Sequence, residues 1–208
     1  VPAWAQFPLT RALEVRYGQQ RPEVACIAQD AHGLIWAGTD KGLFWTDGER
    51  TERASRSGTT QVTALVRMEG AIVAAWSNGV IMRCNTLGCD TLYVDPSLAE
   101  QRVNAMRPAK DGSLWLGTHG AGLWRLMGDE VTRFDMATGM PDDHVNDLVP
   151  WGDGVVAATD QGLVLCTANG VQGRCDESTG APYNLVLSLA AEKDGIVWAG
   201  TDRGGVFS

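Results

Sequence analysis

Long apolar runs are missing from this 208-residue chain. None reaches the roughly 18 residues that a membrane-spanning helix needs, so the chain itself is not expected to insert into a bilayer. Cationic side chains are in deficit: 17 Lys and Arg stand against 25 Asp and Glu, a net charge of −8. That balance removes any general attraction for nucleic acid or an anionic membrane surface. Only three histidines occur, His32, His119 and His144. No nucleophile–base motif, metal-ligating cluster or phosphate-cradling loop is present, so no catalytic residue, metal or cofactor is expected. The five cysteines contain no C-x-x-C pair, which argues against a zinc site. What the chain has instead is glycine, tryptophan and apolar residues: 25 Gly, 8 Trp and 44% hydrophobic side chains, enough for a substantial core.

Those residues recur. The stretch Asp30 to Leu43 reads as a turn at Gly33, a buried strand Leu34–Thr39, a turn at Asp40–Gly42 and the start of another strand. It returns from Lys110 and from Lys193, and more weakly from Glu69 and Asp153. The turn glycines are Gly33, Gly70, Gly112, Gly154 and Gly195, at spacings of 37, 42, 42 and 41. An apolar pair keeps step with them: Val24/Ile27, Val62/Leu65, Val103/Met106, Val145/Leu148 and Val186/Leu189. Two independent columns at one period near 40, with several short strands per period, predict an all-β fold. The expected architecture is a β-propeller of four-stranded antiparallel blades. Its five repeats fall at about 20–58, 59–99, 100–141, 142–182 and 183–208.

Each blade is apolar on both faces and must be covered by its neighbours. Trp36, Trp115 and Trp198 hold one column and are expected to fill the space between blades. Gly38, Gly117 and Gly200, two residues on, let the next blade approach. The threonine after each glycine is placed to bond the following turn. The fifth repeat stops after its third strand. Leu13–Tyr17, an alternating stretch ahead of the first repeat, would complete it and remove two exposed edges. The rival arrangement is a piece of a larger ring, open or paired between chains. The propeller domain therefore runs over 12–208, and residues 1–11 form a tail. Ala3 and Ala5 give that tail two readings: the end of a signal peptide cleaved after Ala5, or a plain N-terminal extension.

The string Val24, Ile27, Gln29, Asp30, Gly33, Leu34, Ile35, Trp36, Gly38, Thr39, Gly42, Leu43 resembles the two-component-regulator propeller repeat. The link Gly139-Met140-Pro141 before Val145 looks like the same family's inter-blade connection. The resemblance covers residues 12–207 and is strongest in repeats one, three and five. It implies an extracytoplasmic, periplasmic sensor propeller of a bacterial signalling protein whose output is a histidine kinase or diguanylate cyclase. The propeller would bind a small ligand or a protein partner and be non-catalytic by itself. A homodimer of the parent protein is compatible with this. Short blades also resemble those of streptogramin lyases, which keeps open a lyase-like enzyme acting through His119.

Two cysteine pairs bracket hairpin turns in repeats two and four. Cys84–Cys89 and Cys166–Cys175 are expected as disulfides, pointing to an oxidising compartment, with Cys26 left as a small buried hydrophobe. The expected ligand-binding positions are Asp40, Asn78, His119, His144, Asp160, Tyr183 and Asp202. They lie in turns after the second strand or in links before the first, and they differ from blade to blade where the packing columns repeat. Recognition uses differences, and loops on a rigid scaffold commonly carry it. The acidic members favour a cationic or polyhydroxylated ligand.

Overall fold

A computed structural model describes residues 14–15, 18–19, 21–55, 57–99 and 101–208. Among the described residues nineteen strands fall into five antiparallel sheets, each a meander of consecutive strands. Blade one is β1 (Val24–Gln29), β2 (Ile35–Thr39), β3 (Gly42–Thr46) and β4 (Thr51–Arg53). Blade two is β5 (Val62–Met68), β6 (Ala71–Trp76), β7 (Val80–Asn85) and β8 (Gly88–Val94). Blade three is β9 (Val103–Pro108), β10 (Leu114–Thr118), β11 (Leu123–Met127) and β12 (Glu130–Phe134). Blade four is β13 (Val145–Trp151), β14 (Gly154–Thr159), β15 (Gly162–Thr167) and β16 (Gly170–Cys175). Blade five has three strands, β17 (Val186–Ala191), β18 (Val197–Thr201) and the two-residue β19 (Val206–Phe207). The inner strands β1, β5, β9, β13 and β17 pack side by side in that order.

The repeated columns are inter-blade contacts. Trp36 packs with Val62 and Ile72 of blade two, and Trp115 with Val145 and Leu148 of blade four. Gly38 and Gly117 face Val62 and Val145 of the following blade. Ala75 and Ala158 occupy the same column in blades two and four and are buried as completely. This small-residue column explains how repeats without the glycine still stack. The threonine hydroxyls behave as their position suggests. Thr39, Thr118, Thr159 and Thr201 donate to the carbonyls of Gly42, Gly122, Gly162 and Gly205 at 2.7–3.0 Å.

Every inner strand carries a bulge at its second residue: Ala25, Thr63, Asn104, Asn146 and Leu187 are skipped in the pairing with the adjacent strand. A bulge bends the strand and re-aims one side chain. In blades three and four that side chain is Asn, and it reaches the next blade. Asn104 Nδ2 donates to the Val145 carbonyl, and Asn146 Nδ2 to that of Val186, each at 2.9 Å. Asp147 adds a second tie: it accepts from Arg107 of blade three at 3.1 Å and from the Leu189 amide of blade five at 2.9 Å.

Closure by an N-terminal strand is not observed. Leu13, Arg16 and Tyr17 lie outside the described residues. Glu14 and Val15 belong to no strand and sit beside Arg21, Pro22 and Val24. Among the described residues no sheet joins blade one to blade five. The exposures agree: Trp198 is 40% exposed where Trp36 is 1%, and Val24 is 46% exposed where Val62 is fully buried. Each is the member of its column with no described blade against it.

One predicted disulfide forms and the other does not. Cys84 and Cys89 are cross-strand partners in blade two and are bonded, with their Cα atoms 4.1 Å apart. Cys166 and Cys175 are free. The reason is register. Thr167 pairs with Gly170, so Cys166 faces Val171, and a bulge carries Cys175 on to Leu163. Cys166 points into the core, and burial pushes its thiol up to about 12. Cys26 is half-buried against blade two, and burial pushes it up to about 11.

Candidate functional site

In blades one, two, three and five the turn after the second strand meets the link before the first strand. The amides of Asp40, Ser77, His119 and Asp202 donate to the carbonyls of Glu23, Gln61, Arg102 and Leu185 at 2.8–3.1 Å. The expected binding positions therefore share one face, at one end of the inner strands.

They do not share one role. Asp40 closes its own turn: its carboxylate accepts from the Glu23 amide at 2.8 Å and lies 3.1 Å from the Lys41 ammonium. The Lys41 contact and then the amide hold its carboxyl below the usual range. Asn78 caps the turn before Val80, and Asp202 pairs with its neighbour Arg203 at 3.1 Å. Asp40 and Asn78 thus serve local backbone geometry, and Asp202 a neighbouring ion pair.

The remaining four form two groups. His119 and His144 come together from blade three's turn and blade four's link. They form an isolated antiparallel bridge, with ring centres 4.7 Å apart and planes at 88°. His144 Nδ1 lies 3.1 Å from Asp142 Oδ1. The amides of Gly120 and Gly122 both donate to the Asp143 carbonyl, which locks turn to link. Asp160 and Tyr183 border a depression of about 380 Å³ with Gln161, Glu177, Asn184 and Leu185. Asp160 accepts from Asn146 Nδ2 at 2.8 Å, which orients its carboxylate. Glu177 and Asn184 exchange hydrogen bonds at 2.8 and 3.2 Å and fix the far wall.

Sequence reasoning missed Asp142, Asn146, Glu177 and Asn184. One signal existed: Val103-Asn104 and Val145-Asn146 repeat at a spacing of 42, in step with the columns. It also missed a larger apolar groove of about 700 Å³ between blades four and five, walled by Trp151, Leu165, Ile196 and Phe207 beside β19.

Among the described residues no helix is long and apolar enough to cross a membrane. No group of three or more His, Cys, Asp or Glu among them is arranged to hold a metal ion.

Inner-strand-first meanders, stacked side by side and locked through a Trp and small-residue column, define a β-propeller architecture. Residues 97–120, which run from the link through the second strand of blade three, match the model of the two component regulator propeller. No curated protein sequence matches the chain. The extracellular domain of a hybrid two component system from B. thetaiotaomicron is similar in structure, at 18% identity and a TM-score of 0.74, over 94% of this chain and 28% of that one. A second such domain from the same organism gives 21% identity and a TM-score of 0.63, over 93% and 28%. Virginiamycin B lyase from Staphylococcus aureus, in complex with quinupristin, gives 14% identity and a TM-score of 0.73, over 92% and 67%. The chain thus spans about 28% of the length of each two component system domain it resembles.

Proposed function

We propose that this chain is the sensing propeller, or part of it, of an extracytoplasmic bacterial signalling protein. It binds a small ligand or a protein partner on the turn-and-link face and does not transform it. One observation carries the reading most: a single face holds a rigid set of polar side chains that differ between blades, while the packing beneath them repeats. Asp160, Glu177, Tyr183 and Asn184 offer carboxylate, phenol and amide groups on a framework held by backbone bonds. Such a wall suits a polyhydroxylated or cationic ligand. Export is supported by the Cys84–Cys89 bond and by the extracellular location of the two component system domains of similar fold.

The lyase reading is supported by the similarity to virginiamycin B lyase and by the placement of His119 beside His144. It predicts turnover. A thermal-shift screen of sugars, polyols and polyamines separates the two. The sensor reading expects a stabilising ligand whose effect is lost in Asp160→Ala and retained without chemical change of the ligand. Turnover abolished by His119→Ala would establish the lyase reading instead.

A further inference from the structure

We propose that His119 and His144 form a binding site for a borderline divalent transition metal, of the Zn²⁺, Ni²⁺ or Cu²⁺ class. Imidazole nitrogen suits these ions. Two imidazoles sharing one ion at about 2.0–2.1 Å hold their ring centres about 4.5–5.2 Å apart at N–metal–N angles of about 90–110°. The observed separation of 4.7 Å falls inside that range.

Three further observations point the same way. The first is orientation. His144 Nδ1 faces the Asp142 carboxylate at 3.1 Å, which leaves Nε2 as the nitrogen turned away from that carboxylate. A carboxylate behind a ligating histidine is the usual arrangement for fixing the tautomer and raising the basicity of the ring. The second is proximity. A Cβ at Gly120 would lie 2.8 Å from Gln101 Oε1 and 3.7 Å from His144 Nε2, so an amide oxygen and an imidazole nitrogen both lie against this glycine. The third is rigidity. The His119 amide is tied to the Arg102 carbonyl, and the Gly120 and Gly122 amides to the Asp143 carbonyl. Two imidazoles and the Gln101 oxygen would serve as protein ligands, with water completing the shell. His119 occupies the position held by Asp40, Asp160 and Asp202 in other blades, and its turn, like that of Asp202, is one residue longer than those of Asp40 and Asp160. The histidine that departs from the repeat thus stands at the bridge with His144.

The site does not depend on the sensing role, because the metal alone is the probe. Calorimetric titration of the tag-free chain with NiCl₂ and with ZnCl₂ should give one ion per chain. His119→Ala and His144→Ala should each weaken it at least tenfold. Gln101→Ala should weaken it a few-fold. His32→Ala, at an exposed turn in blade one, should leave it unchanged. If an alanine variant fails to fold, proton NMR of the unmodified chain decides. Paramagnetic Ni²⁺ should broaden two of the three histidine ring signals and spare His32. Absence of binding, binding by either His→Ala variant as tight as that of the parent, or broadening that fails to single out His119 and His144 would overturn the proposal.

Discussion

A methyl group of Val62, in the second blade, occupies the place that a side chain on Gly38 of the first would need: a Cβ built on Gly38 would lie 2.7 Å from it. The same relation holds between Gly117 and Val145, at 2.5 Å. The blades approach this closely because one partner has no side chain. Gly117→Val should therefore overpack the joint between blades three and four. The expected loss is about 1–3 kcal/mol of stability. Denaturant unfolding checks it, and an unchanged midpoint would contradict the contact.

Tryptophans of one sequence column should differ in worth. Trp36 is fully enclosed between blades, whereas Trp198 is 40% exposed. Trp36→Ala should cost about 3–5 kcal/mol. Trp198→Ala should cost about 1 kcal/mol or less, in the range of surface substitutions. Equal costs would mean that the outer face of blade five is covered in solution.

The bulge asparagines should behave as ties. Asn146 reaches both Val186 and Asp160. Asn146→Ala should lower stability by about 1–2 kcal/mol, because it strands a carbonyl and loosens a carboxylate. It should also weaken any ligand that depends on the placement of Asp160. Asn146→Asp, which cannot donate, should not restore either property.

Thiol counting tests the register of blade four. Unfolding without reductant should release three reactive thiols, from Cys26, Cys166 and Cys175. Two additional thiols should appear on reduction, from Cys84 and Cys89. A count of one before reduction would mean that Cys166 and Cys175 pair after all.

Asp111 should set part of the acid limit. Its carboxylate accepts from the Ser113 hydroxyl at 2.6 Å and from Arg125 at 2.7 Å. These contacts, Ser113 foremost, hold its carboxyl down at about 2. A depressed folded-state value favours the charged form, so the stabilisation is complete above the unfolded value of about 3.9. It is lost as the pH falls through about 2. Asp111→Asn should be less stable than the parent at pH 7 and should flatten the stability curve between about pH 4 and 2.

The architecture was legible because packing imposes sameness. A glycine turn and an apolar pair recur wherever a blade must meet its neighbour, and the Val24-to-Leu43 pattern exposed both. Local chemistry was legible where loops were short, as at Cys84 and Cys89. It failed at Cys166, where the chain turns tightly between Thr167 and Gly170 and sets Cys166 opposite Val171. The two cysteines are too far apart in sequence for their pairing to reveal where between them the turn falls. The face holding the candidate site could be inferred from the strand order. The grouping on that face could not. That Asp160 meets Tyr183, while Asp40 serves its own turn, depends on which link lies beside which turn and on the aim of individual carboxylates. The Asp142 carboxylate behind His144 followed from the same three-dimensional detail.

Because the described blades pack chiefly against the blades beside them, cooperativity should grade along the row. Blade three is gripped on both sides, whereas blades one and five each have one described neighbour. Amide exchange should therefore be slowest in the strands of blade three and quicken toward both ends, as a stack unzips from its outermost members. A ligand bridging the blade three turn and the blade four link would act at the most persistent part of the stack. A contact covering the bare side of blade five would slow exchange there first and pass protection inward one blade at a time.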